Sequence, residues 1–264
     1  MAEQVPPGAG RIRQNDIYVA GIHGRKPKVP TDHAELERRA RKAMSERAWA
    51  YIAGGAGEGA TMRANRAALD RRAIVPRVLR DVSVRSTEIE LFGDTLPAPV
   101  LFSPVGAGGL VRRRADVLIG QAAAQLGVPY IFSNQGSAPM EDVAAEMDRI
   151  RPGAPRWFQL YWSVDDDLVD SFLMRAKKMG ASAIAVTLDT TMLGWRPQDL
   201  NLGSLPFARA EGIDQYTSDA RFRDIVAERI RSATAAEKPE VTLGAIRTLF
   251  SIARNVPGSF IKNL

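Results

Sequence analysis

From Val100 onward the chain alternates short apolar runs with longer stretches of helical periodicity. Val100-Leu-Phe-Ser-Pro104 reads as a strand, followed by a helix from Arg114 to Leu126 that Gly127 stops. Val128-Pro-Tyr-Ile-Phe132 is a second strand, with a helix from Pro139 to Ile150. Trp157 to Tyr161 is a third, after which Ser163 and Asp166 have the spacing of a capping box for a helix from Val164 to Met179, stopped by Gly180. Ala183 to Leu188 is the fourth. Strand, loop and helix at short regular intervals, joined by right-handed crossovers, predict a parallel sheet or barrel.

The fourth run passes within a few residues from apolar, β-branched positions to hydroxyls, carboxylates and an arginine, over Ala183 to Asp199. A buried parallel strand has this pattern when it delivers polar groups at its C-terminal end. Alternation along the strand puts Thr187 and Asp189 on one face. Taken alone, these two residues fit either a site or a simple turn cap. The earlier strands end in the same manner, at Pro104-Val-Gly106, at Ser133, and at Gln159 with Tyr161. In a barrel such ends converge on one rim.

Outside this repeat the pattern is weaker. Residues 1–32 carry Pro, Gly and Lys punctuation with little periodicity and read as an N-terminal arm. Asp32 can cap a single helix from His33 to Ala53, with Tyr51 in its last turn. Gly55-Ala-Gly-Glu-Gly-Ala60 matches a dinucleotide-binding glycine pattern, which would suit a nicotinamide-dependent dehydrogenase if a strand preceded it; here a helix precedes it, and a helix stop with a flexible loop is the simpler reading. Thr61 to Arg72 predicts another helix, and Thr87 to Leu91 with Gly93 a short hairpin. After Pro197 comes a long loop and helical segment, with helices predicted over 220–233 and 241–255 and no fifth apolar strand before Leu264.

Composition narrows the chemistry. Of 264 residues, 45% are hydrophobic and 25% charged, enough for one large α/β domain or two small ones. The chain has no Cys and its two His, His23 and His33, lie near the N-terminus, which removes thiol chemistry and leaves the strand ends without histidine; no metal site is expected. The net charge of +6 comes mainly from arginine spread among 30 acidic residues, densest at Arg112-Arg113-Arg114, without the interleaved aromatics of a nucleic-acid surface. No nucleic acid or membrane partner is expected. The apolar run from Ala98 to Val111 is too short to span a bilayer, and the N-terminus lacks a signal peptide's apolar core, so a cytoplasmic protein is expected.

Tyr51-Ile-Ala-Gly-Gly-Ala56, Asn65-Arg66, Pro76 to Ser83, Ser103-Pro-Val-Gly106, Phe158-Gln-Leu-Tyr161 and Thr187-Leu-Asp-Thr190 together resemble the FMN-dependent 2-hydroxy acid oxidising family, which includes glycolate oxidase, lactate oxidase and lactate 2-monooxygenase. Gly194-Trp-Arg-Pro-Gln-Asp-Leu200 and Tyr216 to Phe222 are most similar to the lactate 2-monooxygenase branch. The resemblance implies α/β architecture: an eight-stranded TIM barrel with FMN across its C-terminal mouth. This chain would supply about the first four strands of an incomplete (β/α)8 barrel, with an N-terminal helical extension, the enzyme domain beginning at residue 33.

The resemblance also implies roles. The backbone of Pro104, Val105 and Gly106 would lie against the flavin ring, and Ser133, Gln159 and Thr187 would hydrogen-bond its pyrimidine edge. Tyr51, Tyr161 and Arg196 match substrate-contacting positions, and Asp189 matches the carboxylate that supports a catalytic histidine. Oxidation of a small lactate-like 2-hydroxy acid, with oxygen as acceptor, is the activity implied, in a homo-oligomer. The family's flavin-contacting lysine, proton-accepting histidine, second arginine and phosphate-binding strands match nothing before Leu264, so this chain is expected to be inactive alone or to be a non-catalytic remnant. Arg112-Arg113-Arg114 departs from the His-Pro-Glu-like turn of relatives.

Overall fold

The computed structural model describes residues 8–232 and 242–256. In chain order the elements are α1 (Ala9–Ile22), α2 (His33–Ala43), α3 (Glu46–Ala53), α4 (Ala60–Asp70), β1 (Ile89–Leu91), β2 (Asp94–Leu96), α5 (Ala115–Leu126), β3 (Tyr130–Phe132), α6 (Met140–Ile150), β4 (Arg156–Tyr161), α7 (Asp166–Lys178), β5 (Ala183–Thr187), α8 (Pro197–Asn201), α9 (Asp214–Thr217), α10 (Ala220–Ser232) and α11 (Leu243–Asn255). The architecture is α/β. Its centre is a parallel sheet of order β3-β4-β5, in which Phe132 pairs with Phe158 and Tyr161 with Thr187. An antiparallel hairpin, β1 with β2, turns at Phe92-Gly93, as its glycine predicts.

The main core forms where β3, β4, α5, α6 and α7 meet. Phe132, Met140, Met147, Phe158, Leu160 and Phe172 are almost wholly excluded from solvent. Periodicity explains the helical side of it: Met140, Val143, Ala144 and Met147 lie on one face of α6, and Leu168, Val169, Phe172 and Ala176 on one face of α7. An aromatic chain runs from Phe158 to Phe172, Tyr216 and Phe222, with successive ring centroids 6.2, 5.1 and 5.3 Å apart. It ties the segment after β5 to the sheet.

Four sequence expectations need correction. Val100 to Pro104 does not form a strand. Only Phe102 joins the sheet, through a parallel bridge to Tyr130, while the Val100 amide turns back to Ala98 O at 2.8 Å. Pro97, Pro99 and Pro104 crowd this run, and proline has no amide to donate to a ladder. The helix expected from His33 to Ala53 is two helices, because Met44 and Ser45 are extended and the Ser45 hydroxyl accepts from Ala48 N at 3.2 Å, starting α3 afresh. The cap of α7 is Asp165, which accepts from Leu168 N at 2.8 Å, and not the Ser163–Asp166 box; the Ser163 hydroxyl instead accepts from Asp165 N. Finally, the N-terminal arm contains α1, a helix with no buried residue. Its interior from Arg11 to Ala20 lacks glycine and proline, so no residue there breaks a helix.

Other boundaries shift by one to three residues. Residues 233 and 241, at the ends of the two helices expected after Pro197, lie outside the described residues. Among the described residues no strand follows β5, no helix is long and apolar enough to cross a membrane, and no group of His, Cys, Asp or Glu side chains could hold a metal ion.

Candidate active site

The C-terminal ends of the three parallel strands carry a continuous row of polar side chains. The Ser133 hydroxyl, just past β3, donates to Gln159 Oε1 of β4 at 3.2 Å, and Gln159 Nε2 donates to Thr187 Oγ1 at the end of β5 at 3.0 Å. Gln135 N donates back to Ser133 Oγ at 3.1 Å, fixing the loop after β3. Parallel pairing puts these ends side by side, so three residues scattered over the sequence become one strip of alternating donors and acceptors. Thr187 keeps its own hydroxyl proton for a further acceptor.

A second cluster gathers around Gly106. A Cβ built there would lie 3.3 Å from Tyr51 Oη and 3.2 Å from Gln135 Oε1, so the loop admits Tyr51 because position 106 has no side chain. Tyr51 is half-buried; burial pushes its phenol above its ordinary pKa, opposed by the neighbouring Arg196. The Arg196 guanidinium stacks over the Tyr51 ring at 5.1 Å and donates through Nη2 to Tyr51 O and through Nε to Asp199 Oδ2 at 2.6 Å. The glycine-rich loop 55–60 helps hold this corner, Gly57 N donating to Trp195 O at 2.8 Å. That loop follows helix α3, so the strand a nicotinamide-binding pattern needs before Gly55 is absent.

Tyr51, Gly106 and Arg196 are therefore brought together, and Ser133, Gln159 and Thr187 form a row. Tyr161 stands at the end of β4, half-buried, its amide donating to Asn134 Oδ1 at 3.0 Å. Pro104 is half-buried and Val105 exposed. Asp189 joins neither cluster. β5 ends at Thr187, so strand alternation does not extend to Asp189, which is exposed and accepts a bond only from Thr190 Oγ1, at 3.1 Å, among the described residues.

Sequence reasoning passed over three residues. Asn134 is fully buried; its Oδ1 receives both Tyr161 N and the Tyr216 hydroxyl, at 3.0 and 3.2 Å, while its Nδ2 has no partner among the described residues. Asp199 is buried beside Arg196, and the spacing Arg196-x-x-Asp199 was its only visible signal. Gly212, at φ +75°, lies so close to Ala107 that a Cβ would stand 2.7 Å from the alanine's own Cβ. Ala107, itself left-handed at φ 52°, donates from N to Gln135 O at 2.8 Å. The segment before α9 thus presses the Gly106 loop into place. The arginine run begins α5, with Arg114 left-handed at φ 61° as its cap; Arg113 and Arg114 line a cleft with Ser137, Asp214 and Arg254.

Comparison with known proteins gives matches of three kinds. The family of FMN-dependent dehydrogenases matches residues 40–254. An FMN-dependent alpha-hydroxy acid dehydrogenase, qulF, of Penicillium citrinum is 42% identical over 220 residues, covering 83% of this chain and 54% of that protein. An L-lactate oxidase of Lysinibacillus sphaericus is 39% identical over 78% of this chain and 52% of its own length. Among solved structures, mandelate oxidase with 3,3-difluoro-2-hydroxy-3-phenylpropionic acid aligns at a TM-score of 0.61 and 35% identity, over 65% of this chain and 50% of the other. The chain belongs to the FMN-dependent dehydrogenase family, and it spans about half the length of the curated relatives it matches.

Proposed function

We propose that this chain forms the flavin-ring side of an FMN-dependent 2-hydroxy acid oxidoreductase, its sheet being the opening strands of an incomplete (β/α)8 barrel. The observation that carries the reading is the row Ser133–Gln159–Thr187 at the ends of three parallel strands. An uncharged heterocycle edge with alternating donors and acceptors fits amide and hydroxyl partners. FMN, when bound, supplies the two-electron acceptor. Ser133, Gln159 and Thr187 would hold its pyrimidine edge by exchanging their mutual hydrogen bonds for bonds to the ring, with Pro104, Val105 and Gly106 beneath it.

The protein's own contribution on the substrate side comes from Tyr51, Tyr161 and Arg196. Tyr51 is protonated at neutral pH, as any ordinary phenol is, and burial moves it further in that direction, so it donates to a carboxylate or hydroxyl oxygen. Arg196 offers Nη1, which has no partner among the described residues, to a carboxylate oxygen. Asp189 is assigned the support of a proton-accepting group, and its exposed carboxylate is available for that contact. A small lactate-like acid, oxygen as acceptor and a homo-oligomer of the complete enzyme complete the reading.

The test is titration of the full chain into FMN, followed by flavin fluorescence. Wild type is expected to quench the flavin, and Gln159→Leu, which keeps the volume but removes both amide partners, to weaken binding about tenfold, the worth of one to two charge-neutral hydrogen bonds. Equal binding by both proteins, or none by wild type, defeats the assignment.

A further inference from the structure

Arg196 is the cation that stacks on Tyr51, and its charge is already answered. Its Nε sits 2.6 Å from Asp199 Oδ2, and the carboxylate is buried. The pairing departs from the two-bond fork that arginine usually makes with a carboxylate: Nη2 is turned away to Tyr51 O, and Asp199 Oδ1 is left buried without a partner among the described residues. A pin that served stability alone would close the fork and satisfy both oxygens. Here the guanidinium lies over the Tyr51 ring, and Asp199 Oδ1 is left as a lone acceptor among the described residues.

The pair is fixed from several sides. Arg196 O accepts from Leu200 N at 3.0 Å, Asp199 O accepts from Ser204 N at 3.0 Å, and Gly57 N holds Trp195 O. These bonds hold the backbone that carries the pair, so the two side chains meet across the first turn of α8.

We infer that Asp199 is a specificity-determining and positioning residue: by neutralising Arg196 it adapts the corner to a ligand with one carboxylate and disfavours one with two. The inference rests on reading this as a 2-hydroxy acid site. A first carboxylate oxygen can still take the Nη1 hydrogen bond. A second carboxylate brought to the same corner is desolvated yet meets a pair of zero net charge, whose negative member is buried and unscreened.

Lactate and malate differ by that second carboxylate, so calorimetric titration of the full chain with each acid, in excess FMN, reads the effect. Asp199→Asn is expected to raise the affinity for malate relative to lactate about tenfold, since it uncovers one charge at contact distance; Asp199→Glu should keep the wild-type ratio. An unmoved ratio in Asp199→Asn overturns the inference. Should that variant fail to fold, Arg196→Gln probes the pair from the other side: Asp199 is then uncompensated, and the ratio should move against malate by a similar factor, an unmoved ratio again being fatal. NMR titration of ring-labelled tyrosine is independent of both ligands. Asp199 raises the Tyr51 phenol, so Asp199→Asn should make Tyr51 ionise at lower pH; an unchanged titration disproves the coupling itself. A shifted Tyr51 titration with no binding of either acid to any variant overturns the selectivity together with the hydroxy-acid reading, and so separates that failure from a failure of the pair.

Discussion

β4 and β5 are neighbours of similar apolar composition, yet five of the six residues of β4 are buried while those of β5 alternate between half-buried and exposed. Among the described residues β4 has a hydrogen-bonded strand on each side, and β5 has one on only one side. Ile184 and Val186 are 39% and 45% exposed, whereas Phe158 and Leu160 in the corresponding register are at most 1% exposed. An apolar run states what a strand can bury, and the neighbours that arrive decide how much it does bury. The same holds for Ile74, Val78, Leu79 and Val84, which lie open on the segment between α4 and β1.

Substitutions at the two strands should break this symmetry of composition most clearly. Phe158→Ala, in the closed core against Phe172, is expected to cost about 3–5 kcal/mol in urea unfolding, and Ile184→Ala less than about 1 kcal/mol. Comparable losses would mean that β5 is covered in solution. Gly212→Ala comes next: it drives a methyl into Ala107 from a left-handed backbone, for about 1–3 kcal/mol. Since Ala107 adjoins Gly106, the variant should also weaken FMN binding, and stability lost without any change in flavin affinity would separate the strap from the loop it presses.

The smallest expected effect is electrostatic. Asp214, beside the carboxylates of Asp116 and Asp142, has its pKa raised from 3.8 to about 6, by burial first and by those two charges second. The folded state therefore holds a proton that the unfolded chain releases. Its contribution is fully present below pH 3.8 and is lost as pH rises to about 6. Allowing for partial exposure, Asp214→Asn should gain on the order of 1–2 kcal/mol at pH 7 and flatten the pH dependence of stability between those values. Unfolding curves collected across that range check it; an unaltered pH slope would place the titration elsewhere.

Much of the fold was legible because it is written locally. Gly127 and Gly180 end α5 and α7 in left-handed conformations, at φ 71° and 83°, as their positions after apolar periodicity require. The errors were also local: Ser45 restarts a helix, three prolines keep Val100 to Pro104 out of the sheet, and Asp165 captures a cap expected of Ser163. At Ser45 and at the prolines a short-range hydrogen bond or a missing donor outweighed a hydrophobic pattern; at Asp165 one capping side chain displaced another.

By itself the sequence determined that polar residues follow apolar strands at Ser133, Gln159 and Thr187, since strand period and parallel order depend on near neighbours along the chain. Only the tertiary structure decided that these three bond to one another, that Tyr51 reaches Gly106, and that Arg196 spends its charge on Asp199 while bonding a carbonyl 145 residues away. Such contacts join segments that no periodicity relates, and their partners are selected by which surfaces remain free once the sheet and its helices have packed.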